Sequence, residues 1–120
     1  MITIYHNPRC NKSREGLYEV ELFKKPFQIR NYMNELFTLD ELKDVIKKLG
    51  IQPIELVRIK ESIWIEHYKN KVLSEQEIVD AMLKYPKLIQ RPIIVYGDKA
   101  IIARPKEQIK ELNLLVLTKI

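Results

Sequence analysis

Two β-rich runs, Arg91-Pro-Ile-Ile-Val-Tyr96 and Lys99-Ala-Ile-Ile-Ala-Arg104, are separated only by Gly97-Asp98. A two-residue connection of that composition is a tight hairpin turn, so the runs are predicted to pair antiparallel. The turn also sets their register: Tyr96 faces Lys99, and stepping outward along the ladder brings Arg91 opposite Arg104. Like charges directly opposite in a sheet repel. The register therefore predicts either an anion held between the two guanidinium groups or two side chains that splay into solvent. Each arginine also precedes a proline, Pro92 or Pro105, which biases its backbone toward extended geometry at an element boundary.

The other end of the chain supplies a parallel unit. Ile2-Thr-Ile-Tyr5 is alternating and β-branched, then passes through Asn7-Pro8 into a polar stretch followed by Leu17, Val20 and Phe23 at helical spacing. Pro26-Phe-Gln-Ile-Arg30 reads as a second strand, reached after a connection long enough for a helical crossover, which makes a parallel βαβ unit. Between the two ends the pattern is helical. Thr38 with Glu41 has capping-box spacing ahead of Leu39, Leu42, Val45, Ile46 and Leu49, and Gly50 follows. Pro53 is predicted to open a shorter helix carrying Leu56, Val57 and Arg58. Ser74 with Glu77 repeats the capping box before Ile78, Val79, Met82 and Leu83, and Pro86 ends that helix. Pro105 suits the first position of a last helix bearing Ile109 and Leu112. The order βαβ, several helices, ββα is an α/β pattern, the thioredoxin arrangement with helices inserted between its halves and a mixed four-stranded sheet.

At 120 residues with 46% hydrophobic content the chain can fill one core, so residues 1–120 are expected to form a single domain. No run approaches bilayer-spanning length and the start lacks a basic leader with an apolar stretch, which predicts a cytoplasmic protein with no membrane partner. A net charge of +5 favours anionic partners in general. The lysines are scattered without an aromatic-interleaved basic stripe, however, which argues against nucleic acid.

A single cysteine cannot form an internal disulfide, so Cys10 is either an inert filler or a reactive thiol. Its neighbourhood, Asn7-Pro-Arg-Cys-Asn-Lys-Ser13, is polar and sits at a strand-to-helix junction. There, unpaired N–H groups and the helix dipole favour an anion, and a thiolate is one. The sequence Cys10-Asn-Lys-Ser13 places a hydroxyl where a dithiol redox pair would have its second thiol, so any oxidised state of Cys10 needs an external thiol to resolve it. A C-x5-R phosphate loop would require arginine at position 16, which is Gly16.

Taken together, Ile4-Tyr-His-Asn-Pro-Arg-Cys-Asn-Lys-Ser-Arg14, Glu55-Leu-Val-Arg58, Leu88-Ile-Gln-Arg-Pro-Ile-Ile-Val95 and Arg104-Pro105 resemble the glutaredoxin-dependent arsenate reductases of the thioredoxin fold, over nearly the whole chain. The resemblance implies that Cys10 attacks arsenate and that Arg58, Arg91 and Arg104 bind the oxyanion. It implies glutathione as cosubstrate and glutaredoxin as partner, with no bound cofactor and no metal. It also implies that Pro92 is a cis-proline beside the cysteine, with His6 and Ser13 in supporting roles. Two other readings use the same residues: a Spx-like transcriptional regulator that binds RNA polymerase, and a thiol oxidoreductase that deglutathionylates proteins. Ser13 in place of a switch cysteine, together with Arg58 and Arg104, favours the oxyanion enzyme over the regulator.

Overall fold

The computed structural model describes residues 2–103, which divide into two compact units: residues 2–35 with 91–103, and Leu36–Gln90. The first carries a four-stranded mixed sheet in the order β2-β1-β3-β4, with β1 Ile2–His6, β2 Phe27–Asn31, β3 Ile93–Tyr96 and β4 Lys99–Ile102. β1 lies in the interior of the sheet, parallel to β2 and antiparallel to β3, and its Ile2 and Ile4 are buried. Full burial of one such side chain stabilises by about 1.5–3 kcal/mol. With Val20, Ile94 and Ala103 these two form a core cluster of the unit, against which Leu17, Phe23, Phe27, Tyr96 and Ile101 pack.

The hairpin has the expected register. Tyr96 pairs with Lys99 and Ile93 with Ile102, and Gly97 takes φ 61, a left-handed conformation that this tight turn demands and glycine adopts without cost. The pairing continues past the strand ends, because Ala103 N donates to Pro92 O at 3.0 Å. Arg104 and the expected last helix with Ile109 and Leu112 lie outside the described residues.

The crossover helix α1, Asn11–Glu21, buries Ser13, Gly16 and Val20, a stripe at helical spacing whose first two members are small. That smallness allows a close approach: a Cβ built on Gly16 would fall well inside van der Waals contact with the Pro92 ring. Overpacking of this kind costs about 1–3 kcal/mol, against a helix-propensity gain of about 1 kcal/mol for alanine. Gly16→Ala is therefore expected to lower unfolding stability by about 1 kcal/mol net in denaturant titration. A gain in stability would show that the proline ring yields freely.

The second unit is helical. α2, Leu39–Leu49, is capped by Thr38, whose Oγ1 accepts from Glu41 N at 3.1 Å, and it buries Leu42, Val45 and Ile46. α4, Glu75–Lys84, has the full reciprocal box: Glu77 N donates to Ser74 Oγ at 3.2 Å and Ser74 N to Glu77 Oε1 at 3.0 Å. Two features differ from the sequence reading. The helix opened by Pro53 is a 3-10 turn that stops at Leu56 and does not include Val57 or Arg58. Instead Val57 forms a β-bridge with Ile89, Arg58 N donates to Leu88 O at 2.7 Å, and Gln90 N to Leu56 O at 2.9 Å. The extended segment after the 3-10 turn Pro86–Leu88 offers these residues backbone partners that a longer helix would forgo, and a β-branched Val57 suits that geometry. The second is a short helix, α3 Ser62–His67, in a stretch for which no element is predicted above; it buries Trp64, whose ring stacks on Tyr68 at 5.2 Å between centroids. Among the described residues no helix is long and apolar enough to cross a membrane.

Candidate active site

β1 delivers His6, buried at its C-terminal end, and the chain then turns sharply. Asn7 organises the turn: its carbonyl accepts from Cys10 N at 3.0 Å, its side-chain Oδ1 accepts from Arg9 N at 3.1 Å, and its own N–H donates to Ser13 Oγ at 2.9 Å. Arg14, one turn into α1, reaches back and donates from Nη1 to Pro8 O at 2.8 Å. Pro8 and Arg9 are thereby presented to solvent while Cys10, half-buried, becomes the N-cap residue of α1, with extended φ −101 and ψ 124.

Cys10 makes no full capping hydrogen bond through its side chain, yet the helix terminus acts on it electrostatically. Partial burial pushes the thiol pKa up. The backbone N–H of Ser13, the guanidinium of Arg91 by hydrogen bonding and by charge, and the backbone N–H of Lys12 all push it down. The downward influences win, and the pKa lies below the ordinary thiol value. The thiolate fraction at neutral pH rises accordingly, which is what a nucleophilic cysteine requires.

Arg91 stands at the entry to β3, and the Arg91–Pro92 peptide is cis. The side chain is 8% exposed, and its Nε and Nη1 are buried without a hydrogen-bond partner among the described residues. A buried cation with unpartnered N–H groups is costly, because the water those groups have lost is not replaced, and its interaction with Cys10 offsets only part of this. Its hydrogen bond and charge act on Cys10, so a planar guanidinium lies beside the sulfur at which a tetrahedral oxyanion could react.

His6 and Ser13 form a second layer behind the thiol. Ser13, fully buried, has Oγ 2.7 Å from His6 Nδ1 and also accepts from Asn7 N. Burial lowers the His6 pKa; an interaction with the Ser13 backbone opposes this and the charge of Arg14 adds to it, with a net fall below the usual value. His6 is therefore neutral at pH 7, and in its Nε2–H tautomer the Ser13 hydroxyl donates to Nδ1. A depressed histidine pKa has a stability consequence. The unfolded chain binds the proton more readily, so stability contributed by neutral His6 is complete above the unfolded pKa of about 6.5 and declines as pH falls below it. His6→Gln is expected to flatten the dependence of unfolding free energy on pH between about pH 7 and 5, measured by denaturant titration. An unchanged slope would show that His6 titrates like a free imidazole.

Five of the seven residues singled out in the sequence, Cys10, Ser13, His6, Arg91 and Pro92, thus lie in the first unit, on β1, α1 and the entry to β3. Arg58 belongs to the second unit, where its Nη1 pairs with Glu61 Oε1 and lies 3.5 Å from Lys87 O. Arg104 lies outside the described residues. Sequence reasoning passed over Asn7 as an organiser of the turn and Gly16 as the contact for Pro92. The Asn-Pro dipeptide and a glycine inside a helical pattern were the available signals.

A half-buried cysteine at the N-cap of the first helix, a cis-proline packed on that helix and a β2-β1-β3-β4 sheet define a thioredoxin-like protein whose site is built around one thiol. Residues 5–112 match the ArsC family, and the chain belongs to that family. It is 38% identical over 115 residues to an arsenate reductase of Haemophilus influenzae, covering 92% of this chain and 97% of that one. It is 34% identical over 111 residues to an arsenate reductase of Neisseria meningitidis, covering 91% and 95%. A solved structure of an arsenate reductase from Vibrio cholerae superposes with a TM-score of 0.86 at 37% identity, covering 92% of this chain and 95% of that one.

Proposed function

We propose that this protein is a cytoplasmic arsenate reductase in which Cys10 is the nucleophile and Arg91, with Arg58 and Arg104, holds the oxyanion. The reading is carried by Arg91: a buried guanidinium with two donors unpartnered among the described residues, beside a thiol whose pKa is lowered, suits an anion that reacts with sulfur. The family relationship supplies arsenate as that anion. Arg58 enters on the resemblance alone, and Arg104 on the resemblance and on the hairpin register that sets it opposite Arg91.

The Cys10 thiolate attacks arsenic(V), a sulfur–arsenic bond forms, and an arsenate oxygen leaves as water after protonation. Repulsion between the two anions is the main obstacle, and the guanidinium groups offset it. An external thiolate, glutathione, then attacks the Cys10 sulfur. The sulfur–arsenic bond breaks with its electron pair passing to arsenic, which leaves as arsenite, and a Cys10–glutathione disulfide remains. With one cysteine in the chain, a second thiol from outside must clear that disulfide, and glutaredoxin is the partner suited to it. The reaction as written uses no metal and no bound cofactor. The test is NADPH consumption by the purified protein with arsenate, glutathione, glutaredoxin and glutathione reductase. Arsenate-dependent consumption is expected; its absence from a protein whose thiol still reacts with an alkylating agent would overturn the reading.

A further inference from the structure

A reaction that leaves Cys10 in a disulfide needs a donor thiol delivered repeatedly to one sulfur, and the surroundings of Cys10 are closed on one side. Ser13 and Gly16 are buried, Pro92 packs on Gly16, and Arg91 is buried. The solvent face of α1 begins at the residue after Cys10, which is the helix N-cap. There, among the described residues, Asn11, Arg14, Glu15, Tyr18 and Glu19 line an open depression of about 450 Å³. It begins at the residue following Cys10 and runs from Asn11 to Glu19, about 12 Å at the rise of an α-helix.

The chemistry of this lining is mixed in a specific way. Arg14 offers a guanidinium anchored through Nη1 to Pro8 O. Glu15 and Glu19 offer carboxylates one turn apart, and Glu15 is only loosely paired with Lys12, at 3.8 Å across an exposed surface. Tyr18, 60% exposed, adds a flat apolar surface to the lining. One cation, two anions and an aromatic wall do not suit a simple anion. They suit an α-amino-acid head group, which carries a carboxylate and an ammonium on one carbon.

We propose that this depression is the binding site for the head group of the donor thiol, a small peptide thiol whose sulfur lies at the Cys10 end while its amino-acid arm runs down α1. Arg14 takes the carboxylate, Glu15 and Glu19 the ammonium, and Tyr18 the chain between. The inference rests on the reading of Cys10 as a thiol cleared from outside, but its test needs no arsenate, so the two fail separately.

The test converts Cys10 to its mixed disulfide with thionitrobenzoate and measures how fast added thiols release the yellow thionitrobenzoate anion. The incoming thiolate attacks the Cys10 sulfur, the old disulfide breaks with its electron pair leaving on thionitrobenzoate, and a new Cys10 disulfide forms. Glutathione carries the head group; cysteinylglycine lacks that arm and 2-mercaptoethanol lacks any charge. Per thiolate, glutathione is expected to react about five- to tenfold faster than either control, as suits one or two exposed charge-assisted contacts. Tyr18→Ala, at an exposed position, and Glu19→Lys, at a half-buried one, are expected to bring that ratio close to one. Equal rates for the three thiols with the wild-type protein would overturn the proposal, and so would a glutathione preference that survives both substitutions, since the head group would then lie elsewhere.

Discussion

Cys10→Ser is expected to abolish arsenate-dependent NADPH consumption, with a loss of at least about a thousandfold, the scale seen when an enzyme nucleophile is removed. The loss follows from what a hydroxyl cannot do at this position. The N–H groups of Ser13 and Lys12 and the Arg91 guanidinium stabilise a thiolate, whose pKa starts within reach of neutrality. A serine hydroxyl starts far above it, and an oxygen–arsenic adduct offers no sulfur for an incoming thiolate to attack with release of the bond pair to arsenic. The fold should be unaffected, because Cys10 sits at the helix N-cap, where serine is among the preferred residues. Turnover near the wild-type level by the serine protein would remove Cys10 from the mechanism altogether.

Arg91→Met is expected to separate activity from stability in opposite directions. Loss of one oxyanion donor typically costs about 10²–10³-fold in kcat, and the Cys10 pKa should rise toward that of a free thiol once the adjacent charge is gone. The folded state, however, is relieved of a buried cation whose Nε and Nη1 have no partner among the described residues. Unfolding stability is therefore expected to stay level or rise, by about 1 kcal/mol, since apolar replacement of poorly compensated buried charge is often neutral or favourable. Alkylation of Cys10 followed against pH gives the first quantity and a denaturant titration the second. Strong destabilisation with unchanged alkylation would make Arg91 a structural residue. Arg91→Lys should rescue little activity, because an ammonium cannot present two parallel donors in a plane.

Much of the frame was legible from short-range pattern. The two-residue Gly97-Asp98 turn dictated both the pairing and its register, and the boxes at Thr38 and Ser74 marked the starts of α2 and α4 because capping is a contact between residues three apart. The inserted segment was less legible where tertiary partners competed with local preference. Pro53 announced a helix, but the backbone of Leu88 to Gln90 supplied hydrogen bonds to Leu56 and Arg58 that ended it early. The site shows the same division. Cys10 could be found from its neighbours, while the significance of Gly16 lay in a proline on a distant strand.

The sequence by itself determined the order of elements, the hairpin register, the placement of one cysteine at a helix entrance and the need for an external thiol. Each of these follows from residues close together along the chain or from the count of a residue type. Only the tertiary structure decided that Arg91 is buried beside that cysteine with donors unused, that His6 is neutral behind Ser13, and that Pro92 rests on Gly16. These depend on β3 lying next to β1 in the sheet. Desolvation, which sets both the cost of the arginine and the charge of the histidine, comes from the packing of segments far apart in sequence.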